Sequence, residues 1–462
     1  MQPARRVAYD VLRAVTESDA YANLVLPQAI ADAGLSPQDA ALATELTYGT
    51  LRRLGTYDAV ISAAADRDTS AIDPAVLDAL RLAVHQLLST RVAPHAAVNE
   101  SVTIVGAAQS RGAASFANAV LRRITRETPE EWQERIEQAA RSDDERLALR
   151  SAHPVWIIRA LRRALAAEER ADELEALLDA DNASPEVTLA ALPGLAERSE
   201  PARPYAPTAF GSPGGDPHRV VAGSGGRIRV QDEGSQLVAL ALAEAAPIRA
   251  GERWLDLCAG PGGKTALLAA IAAQHGAVLE ANEVVPTRAR LVRNALRAVP
   301  GNVPVHEEDG RVLARSRNGQ YDRILVDAPC TGLGALRRRP EARWRKTPAD
   351  VAELVPLQEE LLAAAIDALA PGGIVAYVTC SPHLAETSGV VREVLRGRAD
   401  VRRLDARAVM ADVATSAIDL AGDDSDEDGG SVQLWPHRHG TDAMFLALLQ
   451  RTSAGAVPEQ GE

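Results

Sequence analysis

A glycine-rich stretch near the middle of the chain constrains the fold more than any other part of the sequence. Residues Arg253 to Thr265 read RWLDLCAGPGGKT: strand-like residues, Trp254 to Cys258, run into a turn, and a helix-like run, Lys264 to Ala273, follows at once. In α/β proteins such a turn holds an anionic or nucleotide-like ligand, because glycine lets the ligand approach the backbone and free N–H groups at the helix start face it. The stretch therefore predicts an α/β fold with a ligand site at this turn.

Two classes of ligand compete for the turn. A phosphate-binding P-loop requires G-x-x-x-x-G-K-[ST]. Gly263-Lys264-Thr265 supply the end of that motif, but Cys258 stands where its first glycine belongs. A nucleoside-type cofactor in a Rossmann-like sheet instead requires an acidic residue about 20 positions further on, for the ribose hydroxyls. Glu283 follows Gly263 by twenty residues, so the spacing favours such a cofactor and leaves a P-loop nucleotide hydrolase as the alternative.

From position 253 onward, strand-like and helix-like segments alternate, which is the pattern of a parallel sheet with helices on both faces. The strand candidates end at Cys258, Glu283, Asp309, Asp327 and Cys380. The carboxyl ends of parallel strands meet at one edge of a sheet, and ligands bind beyond that edge. We therefore expect two cysteines and three carboxylates to lie close together there.

The first part of the chain, residues 1–140, carries helical patterns and almost no strand signals. Val7, Val11 and Val15 recur at helical spacing. Thr128 precedes a proline and, three positions later, a glutamate, as a helix N-cap with a capping box does. These patterns predict a small all-helical domain with its own core.

The remaining domain boundaries follow from changes in pattern. Residues 141–235 are expected to form a connector, in which the proline- and glycine-rich stretch 201–226 is a long loop that is functional or mobile. Residues 236–452 carry the alternating pattern of the predicted sheet domain. Residues 453–462 are expected to be a disordered tail.

The number of cysteines and the hydropathy of the sequence indicate the cellular compartment of this protein. Only three cysteines occur in 462 residues, an odd number that argues against a disulfide framework and for a reducing compartment. No stretch is apolar for long enough to cross a bilayer, and the first residues lack the apolar core of a signal peptide. We therefore expect a cytoplasmic protein. His437 and His439 form an isolated pair, so no metal site is expected.

The charges are distributed unevenly along the chain. The net charge of −13 does not favour nucleic acid, yet the segment 337–346, RRRPEARWRK, sets six cations and Trp344 against one carboxylate. A basic stripe with an aromatic residue suits a single-stranded nucleic acid backbone and a stacked base. It predicts nucleic-acid contacts by the side chains of Arg337, Arg338, Arg343 and Lys346, with a solvated loop as the alternative. The acidic run 423–428, DDSDED, is expected to be a disordered surface loop.

Two thiols and a carboxylate at the predicted sheet edge suit one reaction in particular. Asp327 ends an apolar run, Cys330 follows it across Ala-Pro, and the fifth strand delivers Cys380. C5 of a pyrimidine is too weak a nucleophile to take a methyl group directly, but a thiolate that adds at C6 turns the ring into an enamine-like nucleophile. A second group then helps to remove the C5 proton and expel the thiol, and a carboxylic acid near N3 stabilises the charge on the ring.

Two motifs in the helical part resemble the signature of the NusB-like fold. They are 98–102, VNESV, and 116–122, FANAVLR. That all-helical module binds RNA in antitermination factors and is fused to certain RNA methyltransferases. The resemblance implies an N-terminal NusB-like RNA-binding domain, although Asn99 and Asn118 could instead simply cap or bridge helices.

Three motifs in the predicted sheet domain resemble those of the RsmB/Nop/Sun family. They are 258–265, CAGPGGKT; 327–330, DAPC; and 379–381, TCS. Members of this family are S-adenosylmethionine-dependent RNA 5-methylcytosine methyltransferases with a Rossmann-like sheet. Together with the NusB-like motifs, the resemblance implies the RsmB-like branch, which methylates small-subunit (16S) ribosomal RNA. A tRNA or another RNA is the alternative target, and a non-catalytic RNA-binding assembly factor is the alternative of a different class.

The resemblance also implies roles, residue by residue. Cys380 matches the nucleophile, and Cys330 matches the cysteine implicated in release from the product. Asp327 matches the acid near both the cofactor and the target base. The cofactor loop is matched by Cys258, Ala259, Gly260, Pro261, Gly262, Gly263 and Lys264. Glu283, in place of the more usual aspartate, matches the ribose-binding acid, and Asp309 matches the residue near the adenine.

The chain departs from the family pattern at two further places. Glu386-Thr387 stands where the family commonly has Glu-Asn, and 442–445, DAMF, stands where Asp-Gly-Phe-Phe is usual. Neither change touches a thiol, so the predicted chemistry is unaffected.

Overall fold

The structure is a computed structural model that describes residues 2–18, 20–421 and 430–452. The predicted acidic loop at 423–428 and the predicted tail at 453–462 lie outside the described residues. The chain divides into two compact units. The helical unit comprises the chain up to Arg162 together with Asp172–Ser184 and Leu336–Lys346, and the sheet unit comprises Arg163–Ala171, Pro185–Ala335 and the chain from Thr347 onward.

The helices and strands are numbered in chain order. The helices are α1 (Pro3–Ser18), α2 (Ala22–Asp32), α3 (Pro37–Arg52), α4 (Leu54–Ala65), α5 (Pro74–Ser89), α6 (Pro94–Ala108), α7 (Arg111–Ile124), α8 (Pro129–Gln138), α9 (Asp143–Ser151), α10 (Val155–Ala166), α11 (Leu174–Asn182), α12 (Pro217–Gly223), α13 (Glu233–Glu244), α14 (Gly263–His275), α15 (Pro286–Ala295), α16 (Gly310–Ser316), α17 (Ala342–Arg345), α18 (Pro348–Ala368), α19 (Ser388–Leu395), α20 (Ala406–Val413) and α21 (Pro436–His439). The strands are β1 (Thr188–Ala191), β2 (Ala209–Gly211), β3 (Ile228–Val230), β4 (Arg253–Asp256), β5 (Val278–Asn282), β6 (Val305–His306), β7 (Tyr321–Asp327), β8 (Leu369–Thr379), β9 (Val401–Leu404), β10 (Val432–Gln433) and β11 (Phe445–Arg451).

The helical unit is built from amphipathic helices around one apolar core. Val7, Val11 and Val15 lie on the buried face of α1, as their spacing predicts. Thr128 and Glu131 form the predicted capping box at the start of α8, in which each side chain accepts the backbone N–H of the other residue. The described residues of this unit contain no strand, which confirms the all-helical N-terminal region.

The helical unit also includes a segment from the middle of the sequence. The predicted sheet domain, 236–452, contains residues 336–346, but the structure groups that segment with the helical unit. It carries the short helix α17. The chain therefore leaves the sheet unit after Ala335 and returns to it at Thr347.

The sheet unit is built on one large twisted sheet. Within the described residues it has eight strands, in the order β10-β11-β8-β7-β4-β5-β6, with β9 paired to β11. The strands β8, β7, β4, β5 and β6 are parallel to one another, whereas β11 is antiparallel to β8, β9 and β10. The strand order reverses at β4, which has β5 on one side and β7 on the other. In such doubly wound sheets a ligand crevice opens at the carboxyl ends beside the point of reversal.

Both faces of the large sheet are covered by helices. Leu325 of β7 belongs to an apolar core with residues of α13 and α14, whereas its neighbours Ile324 and Val326 belong to a second core with residues of α18. This alternation follows from the strand geometry, in which successive side chains point to opposite faces. The Rossmann-like fold with helices on both faces is therefore confirmed.

The connector is more ordered than the sequence predicts. Residues 201–226 contain β2 and α12, and β1 pairs with both β2 and β3 in a three-stranded antiparallel sheet. The prediction of one long loop is therefore wrong. Glu233, at the start of α13, accepts the backbone N–H groups of Tyr205 and Ala206, and such distant contacts leave no local pattern in the sequence.

Candidate active site

The carboxyl ends of the parallel strands bring the predicted site residues to one edge of the sheet. β4 leads into the glycine turn, β5 ends directly before Glu283, β7 ends at Asp327, and β8 ends directly before Cys380. Asp309 follows the short β6 and caps α16. This is the edge at which doubly wound sheets bind their ligands.

The glycine turn lies directly against Glu283. The N–H of Gly260 donates to Glu283 Oε2 at 3.0 Å, and the carbonyl of Gly260 accepts from Arg288 at 2.7 Å. A Cβ on Gly260 would stand 2.1 Å from the same carboxylate oxygen, so a larger residue would displace Glu283. Gly262 adopts a φ of +104°, a left-handed conformation that glycine reaches without strain, and the chain then enters α14. The turn and Glu283 form one cradle.

The first residues of the turn join two strands of the sheet. Ala259 donates its N–H to the carbonyl of Asn282, at the end of β5, over 2.8 Å. Cys258 is a free, partly exposed cysteine. Burial, and then the nearby charge of Asp256, raise the pKa of Cys258 far above its usual value, so this thiol stays protonated.

Lys264, in the first turn of α14, reaches across to the end of β7. Its Nζ lies 2.8 Å from Asp327 Oδ2. Burial alone would lower the pKa of Lys264, but Asp327 and, less strongly, Cys380 raise it above its usual value. The ammonium group therefore stays charged, and it is close enough to Cys380 to interact with a thiolate there.

A second carboxyl group, Asp256, is buried at the end of β4. Thr265 Oγ1 donates to Asp256 Oδ2 at 2.7 Å. Burial is the main cause that raises the pKa of Asp256 to about 7, and the charge of Asp327 adds to the rise. Asp256 is therefore partly protonated near neutral pH. The sequence signal for it is a carboxyl group within an apolar strand, outside the three family motifs.

Asp309 lies in a different electrostatic setting. Its carboxylate accepts the backbone N–H of Arg311 at 2.9 Å and also contacts the guanidinium of that residue. The Arg311 side chain is the main cause that holds the pKa of Asp309 at about 2. Asp309 is therefore ionised throughout the neutral range.

The two predicted catalytic cysteines meet at the strand-end edge. Cys330 Sγ and Cys380 Sγ are 3.4 Å apart, although 50 positions separate the residues. Neither forms a disulfide, and both are partly exposed. The hydrogen bond to Cys380 and, secondly, burial raise the pKa of Cys330 well above its usual value. Cys330 is therefore protonated near neutral pH, and either sulfur can donate the hydrogen bond between them.

The loop after Cys330 packs on the backbone beside the second thiol. The N–H of Gly334 donates to the carbonyl of Cys380 at 2.8 Å, and the carbonyl of Gly334 accepts the N–H of Ala443 at 2.8 Å. A Cβ on Gly334 would stand 2.0 Å from the carbonyl oxygen of Ala443. The segment 442–445, which departs from the family pattern, thus supports this loop through its backbone.

Glu386 is a buried residue of this region to which the sequence analysis assigned no role. It accepts the N–H of Thr331 at 2.8 Å and the hydroxyls of Thr331 and Ser381 at 2.5 and 2.6 Å. Thr331 and Ser381 are the residues that follow the two thiols. The only signal in the sequence is an acidic residue six positions after Cys380, and a position alone does not reveal contacts between two loops.

The predicted basic stripe is largely part of the helical unit's interior. Arg343 is fully buried, and its guanidinium donates to carbonyl groups at the C-terminal ends of α3, α9 and α11. Trp344 donates its indole N–H to a carbonyl of α3. Arg337 is also buried. The predicted RNA contacts of Arg343 and Arg337 are therefore wrong, because burial removes both side chains from solvent. Arg338 and Lys346 are partly exposed, and their RNA contacts stay predictions.

The histidine pair near the end of the described chain contacts the backbone. His439 Nδ1 accepts the N–H of Trp435 at 2.8 Å, and His439 Nε2 lies 2.8 Å from the carbonyl of Asp419. In the described ranges, no group of three or more His, Cys, Asp or Glu side chains has the arrangement of a metal site. Of the helices that the structure describes, none has the length and apolar character needed to cross a membrane.

Two family models match this chain, and together they cover most of it. A model described as 16S rRNA methyltransferase RsmB/F matches residues 243–450, and the NusB family model matches residues 2–126. The protein Rv1407 of Mycobacterium tuberculosis is 51% identical over 459 residues, which cover 98% of this chain and 97% of that one. Ribosomal RNA small subunit methyltransferase B of Erwinia tasmaniensis is 31% identical over 471 residues, which cover 97% of this chain and 99% of that one.

Solved structures share the fold. The crystal structure of PH0851 superposes with a TM-score of 0.80 at 22% identity and covers 98% of this chain and 99% of that one. A methyltransferase homolog protein from Pyrococcus horikoshii gives a TM-score of 0.52 at 23% identity and covers 66% of this chain and 97% of that one. The family models and the full-length relatives add what fold alone does not show. This chain is a methyltransferase that belongs to the 16S rRNA methyltransferase RsmB/F family and carries an N-terminal NusB-family domain.

Proposed function

We propose that this chain transfers a methyl group from S-adenosylmethionine to C5 of a cytosine in RNA, through a covalent bond between Cys380 Sγ and C6 of the base. Small-subunit ribosomal RNA is the proposed target, because the matching family model and the Erwinia tasmaniensis relative are named for it. One observation carries the proposal: Cys330 Sγ and Cys380 Sγ lie 3.4 Å apart at the strand-end edge that also holds Asp327.

Cys380 is the proposed nucleophile. Its thiolate adds to C6, so that the S–C6 bond forms and the π electrons of C5–C6 move towards C5 and N3. C5 becomes enamine-like and nucleophilic. Asp327 and the ammonium group of Lys264, 2.8 Å apart, are the polar groups proposed to stabilise the charge that develops on the ring.

Cys330 is proposed to complete turnover. After C5 is methylated, its proton leaves, the C5–H electrons re-form the C5–C6 double bond, and the S–C6 bond breaks to return Cys380 as a thiolate. Before addition, Cys380 is the main cause of the raised pKa of Cys330. Addition turns the Cys380 sulfur into a neutral thioether, so Cys330 then releases its own proton to solvent more readily, and the resulting thiolate accepts the C5 proton.

The residues around the glycine turn fit S-adenosylmethionine, which supplies an electrophilic methyl group when it is bound. The N-terminus of α14 has no side-chain cap, so its first N–H groups suit the carboxylate of an amino acid. Glu283 and Asp309 follow β5 and β6, where a nucleoside needs acceptors for its hydroxyl and amino groups. At Gly260 a Cβ would collide with Glu283, so only glycine lets a ligand approach the backbone of the turn there.

The nucleophile is tested by Cys380→Ala. We expect this variant to lose methyl transfer to cytosine by at least about 1,000-fold, because covalent activation of C6 disappears, while its affinity for S-adenosylmethionine stays unchanged. The measurement is incorporation of labelled methyl groups into 16S ribosomal RNA, with the modified base mapped by bisulfite-type sequencing. A variant that retains full activity would rule out the covalent route. If the wild type binds RNA without transferring methyl groups, the chain is a non-catalytic assembly factor.

The release role is tested by Cys330→Ala. Because adduct formation does not need Cys330 but resolution does, we expect this variant to accumulate a protein–RNA adduct that survives denaturing electrophoresis. Cys258→Ser is the matched control, since Cys258 is the third free cysteine and has no part in either covalent step. Equal adduct levels in the two variants would contradict the division of roles between Cys380 and Cys330.

A further inference from the structure

Glu386 lies between the two loops that carry the thiols. Its side chain is fully buried and accepts four hydrogen bonds from neutral donors of the described chain. Oε1 accepts from the N–H of Thr331 at 2.8 Å and from Gln358 Nε2 at 3.2 Å. Oε2 accepts from the hydroxyls of Thr331 at 2.5 Å and Ser381 at 2.6 Å. Both carboxylate oxygens are therefore used in holding neighbouring segments.

The donors stand directly beside the thiols in the sequence. Thr331 follows Cys330, and Ser381 follows Cys380. These two loops follow different strands, β7 and β8, so the sulfur atoms meet only if both loops are held. One carboxylate that binds the next residue of each loop fixes the two loops relative to each other.

Glu386 is itself held firmly. The Gln358 amide that contacts Glu386 also donates to the carbonyl of Pro329 at 2.8 Å, and the hydroxyl of Tyr377 donates to the backbone carbonyl of Glu386 at 2.8 Å. A buried carboxylate is unfavourable unless its oxygens are hydrogen-bonded. Its presence here, with all four donors aligned, indicates a role that an apolar side chain of the same size would not fulfil.

We propose that Glu386 is a positioning residue for methyl transfer, which sets the distance and orientation of the Cys330 and Cys380 thiols by binding Thr331 and Ser381. It acts through the two loops and does not touch the base. The consequence for catalysis rests on the function proposed above, whereas the consequence for thiol geometry rests only on these contacts. Because a misplacement of reacting groups by about 1 Å costs about 100-fold in rate, loss of this carboxylate lowers kcat more than it weakens binding.

The thiol geometry is tested on the full-length protein without RNA or cofactor. Dibromobimane bridges two neighbouring thiols, as each sulfur forms a bond to carbon and displaces one bromide. We expect the wild type to be bridged between Cys330 and Cys380 and Glu386→Ala to be bridged at least about tenfold more slowly, since the loops lose their common anchor. Glu386→Gln keeps the shape and one acceptor oxygen, so its rate should lie in between. Peptide mass spectrometry distinguishes this bridge from reaction at Cys258.

The catalytic consequence is tested with 16S ribosomal RNA and S-adenosylmethionine. Glu386→Ala should lower kcat by about 100-fold and change KM for either substrate by no more than about twofold. Glu386→Gln should recover part of the rate. If Glu386 were needed only for general stability, its loss would not lower kcat while leaving KM nearly unchanged. The loss of kcat in the variants would also not correlate with their loss of bridging rate.

Glu252 provides the matched control. It is also a buried carboxylate, and it accepts from Arg323 at 2.9 Å and from Trp254 at 2.9 Å. It precedes β4 and so lies at the opposite, amino edge of the sheet. Glu252→Gln should lower thermal stability yet leave bridging and kcat within about twofold of wild type. If Glu386→Ala does not fold, Thr331→Val and Ser381→Ala each remove one donor, and each should slow bridging.

Two results overturn the proposal: unchanged bridging in Glu386→Ala, or a folded Glu386→Ala variant with wild-type kcat. A third result separates the two ideas: Glu386→Ala is bridged more slowly than the wild type, but the wild type transfers no methyl group. That result supports the positioning of the thiols and overturns the proposed function. The two ideas therefore fail separately.

Discussion

The three cysteines of this chain lie in different immediate surroundings. Burial is the main cause of the raised pKa of Cys258, whereas a hydrogen bond to Cys380 is the main cause for Cys330. Cys380 Sγ lies 3.4 Å from Cys330 Sγ, and Cys380 interacts electrostatically with the ammonium group of Lys264. The same residue type thus has three different environments at one edge of the sheet, and these differences support Cys380 as the proposed nucleophile.

Asp256 makes stability depend on pH. Its pKa is raised from 3.8 to about 7, mainly by burial, so between these values the folded chain keeps a proton that the unfolded chain releases. The stability linked to this proton is complete below about pH 4 and is lost as the pH rises through about 7. Each unit by which the folded and unfolded pKa values differ corresponds to about 1.4 kcal/mol of the free energy of unfolding. We expect Asp256→Asn, which mimics the neutral carboxyl group, to flatten the fall in Tm between about pH 4 and pH 7.

Asp309→Asn is the control for that measurement. The pKa of Asp309 is held at about 2, chiefly by Arg311, so its contribution to stability is present above about pH 4 and is lost only in acid. Its replacement should leave the slope of Tm against pH unchanged in the neutral range. An Asp256→Asn variant with the wild-type slope would mean that Asp256 is already ionised in the folded protein.

Individual elements are predictable from the sequence where their cause is local. The capping box of Thr347 and Asp350 at the start of α18 involves residues within one turn, and the end of β7 at Asp327 closes an apolar run. β2 and α12 have only three and seven residues, and β2 forms by pairing with β1, so no periodicity marks them. Local patterns therefore locate the large sheet and its helices but leave the connector unresolved.

The candidate site shows the same limit. Parallel topology is enough to predict that Cys330 and Cys380 share an edge, because the ends of β7 and β8 must lie side by side. The contacts of Glu386 are not predictable in this way, since they are side-chain hydrogen bonds between separate loops. Thr331 and Glu386, for example, are 55 positions apart in the sequence. Sequence reasoning thus finds the two thiols before it finds the side chain that contacts both of their loops.

The capping box of α8 allows a test at the level of one helix. Thr128 Oγ1 accepts the N–H of Glu131 at 3.2 Å, and the carboxylate of Glu131 accepts the N–H of Thr128 at 2.7 Å. Thr128→Ala leaves one of the first N–H groups of α8 without its cap and should cost about 1 kcal/mol. The measurement is hydrogen exchange in α8 together with chemical denaturation of the full chain.

Thr103→Ala is the matched control for the cap. Thr103 is an exposed residue inside α6, and its hydroxyl donates back to the carbonyl of Asn99. Alanine has the higher helix propensity, so this change should be neutral or slightly stabilising. Equal losses in the two variants would mean that the hydroxyl of Thr128 has no special role as a cap.

The path of the chain between its two units cannot be predicted from composition. It leaves the sheet unit after Ala335, contributes residues 336–346 to the helical unit and returns at Thr347. Within that segment Arg343, Trp344 and Arg345 donate to carbonyl groups in the last turns of helices or just beyond them. Helix C-termini leave carbonyls unpaired and carry the negative end of the helix dipole, so cationic donors suit them. A run of arginines that looks like an RNA-binding stripe therefore stabilises the fold.

Arg343 is consequently expected to determine the stability of the helical unit. Its guanidinium donates to the carbonyls of Arg52, Ala152 and Asp181 over 3.2, 3.0 and 3.1 Å. Arg343→Met keeps an apolar side chain in the site but leaves these buried carbonyls unpaired, at about 1–3 kcal/mol for each. We expect a total loss of at least about 3 kcal/mol, seen as faster hydrogen exchange in α3, α9 and α11 with no change in the strands of the sheet unit.

Arg339→Met separates stability from RNA binding. Arg339 belongs to the same segment but is exposed, with its guanidinium over the ring of Tyr21, so this change should leave hydrogen exchange in the three helices almost unchanged. A cation that contacts phosphate lowers RNA affinity when it is removed and reduces the slope of log affinity against log salt by about 1. We expect no such change in slope for Arg343→Met at a temperature where the variant is folded. Suppose instead that Arg343→Met reduces the slope of log affinity against log salt but keeps wild-type hydrogen exchange. That result would show that Arg343 contacts RNA. Because Arg343 is buried, such contact would require the segment 336–346 to detach from the helices that it caps.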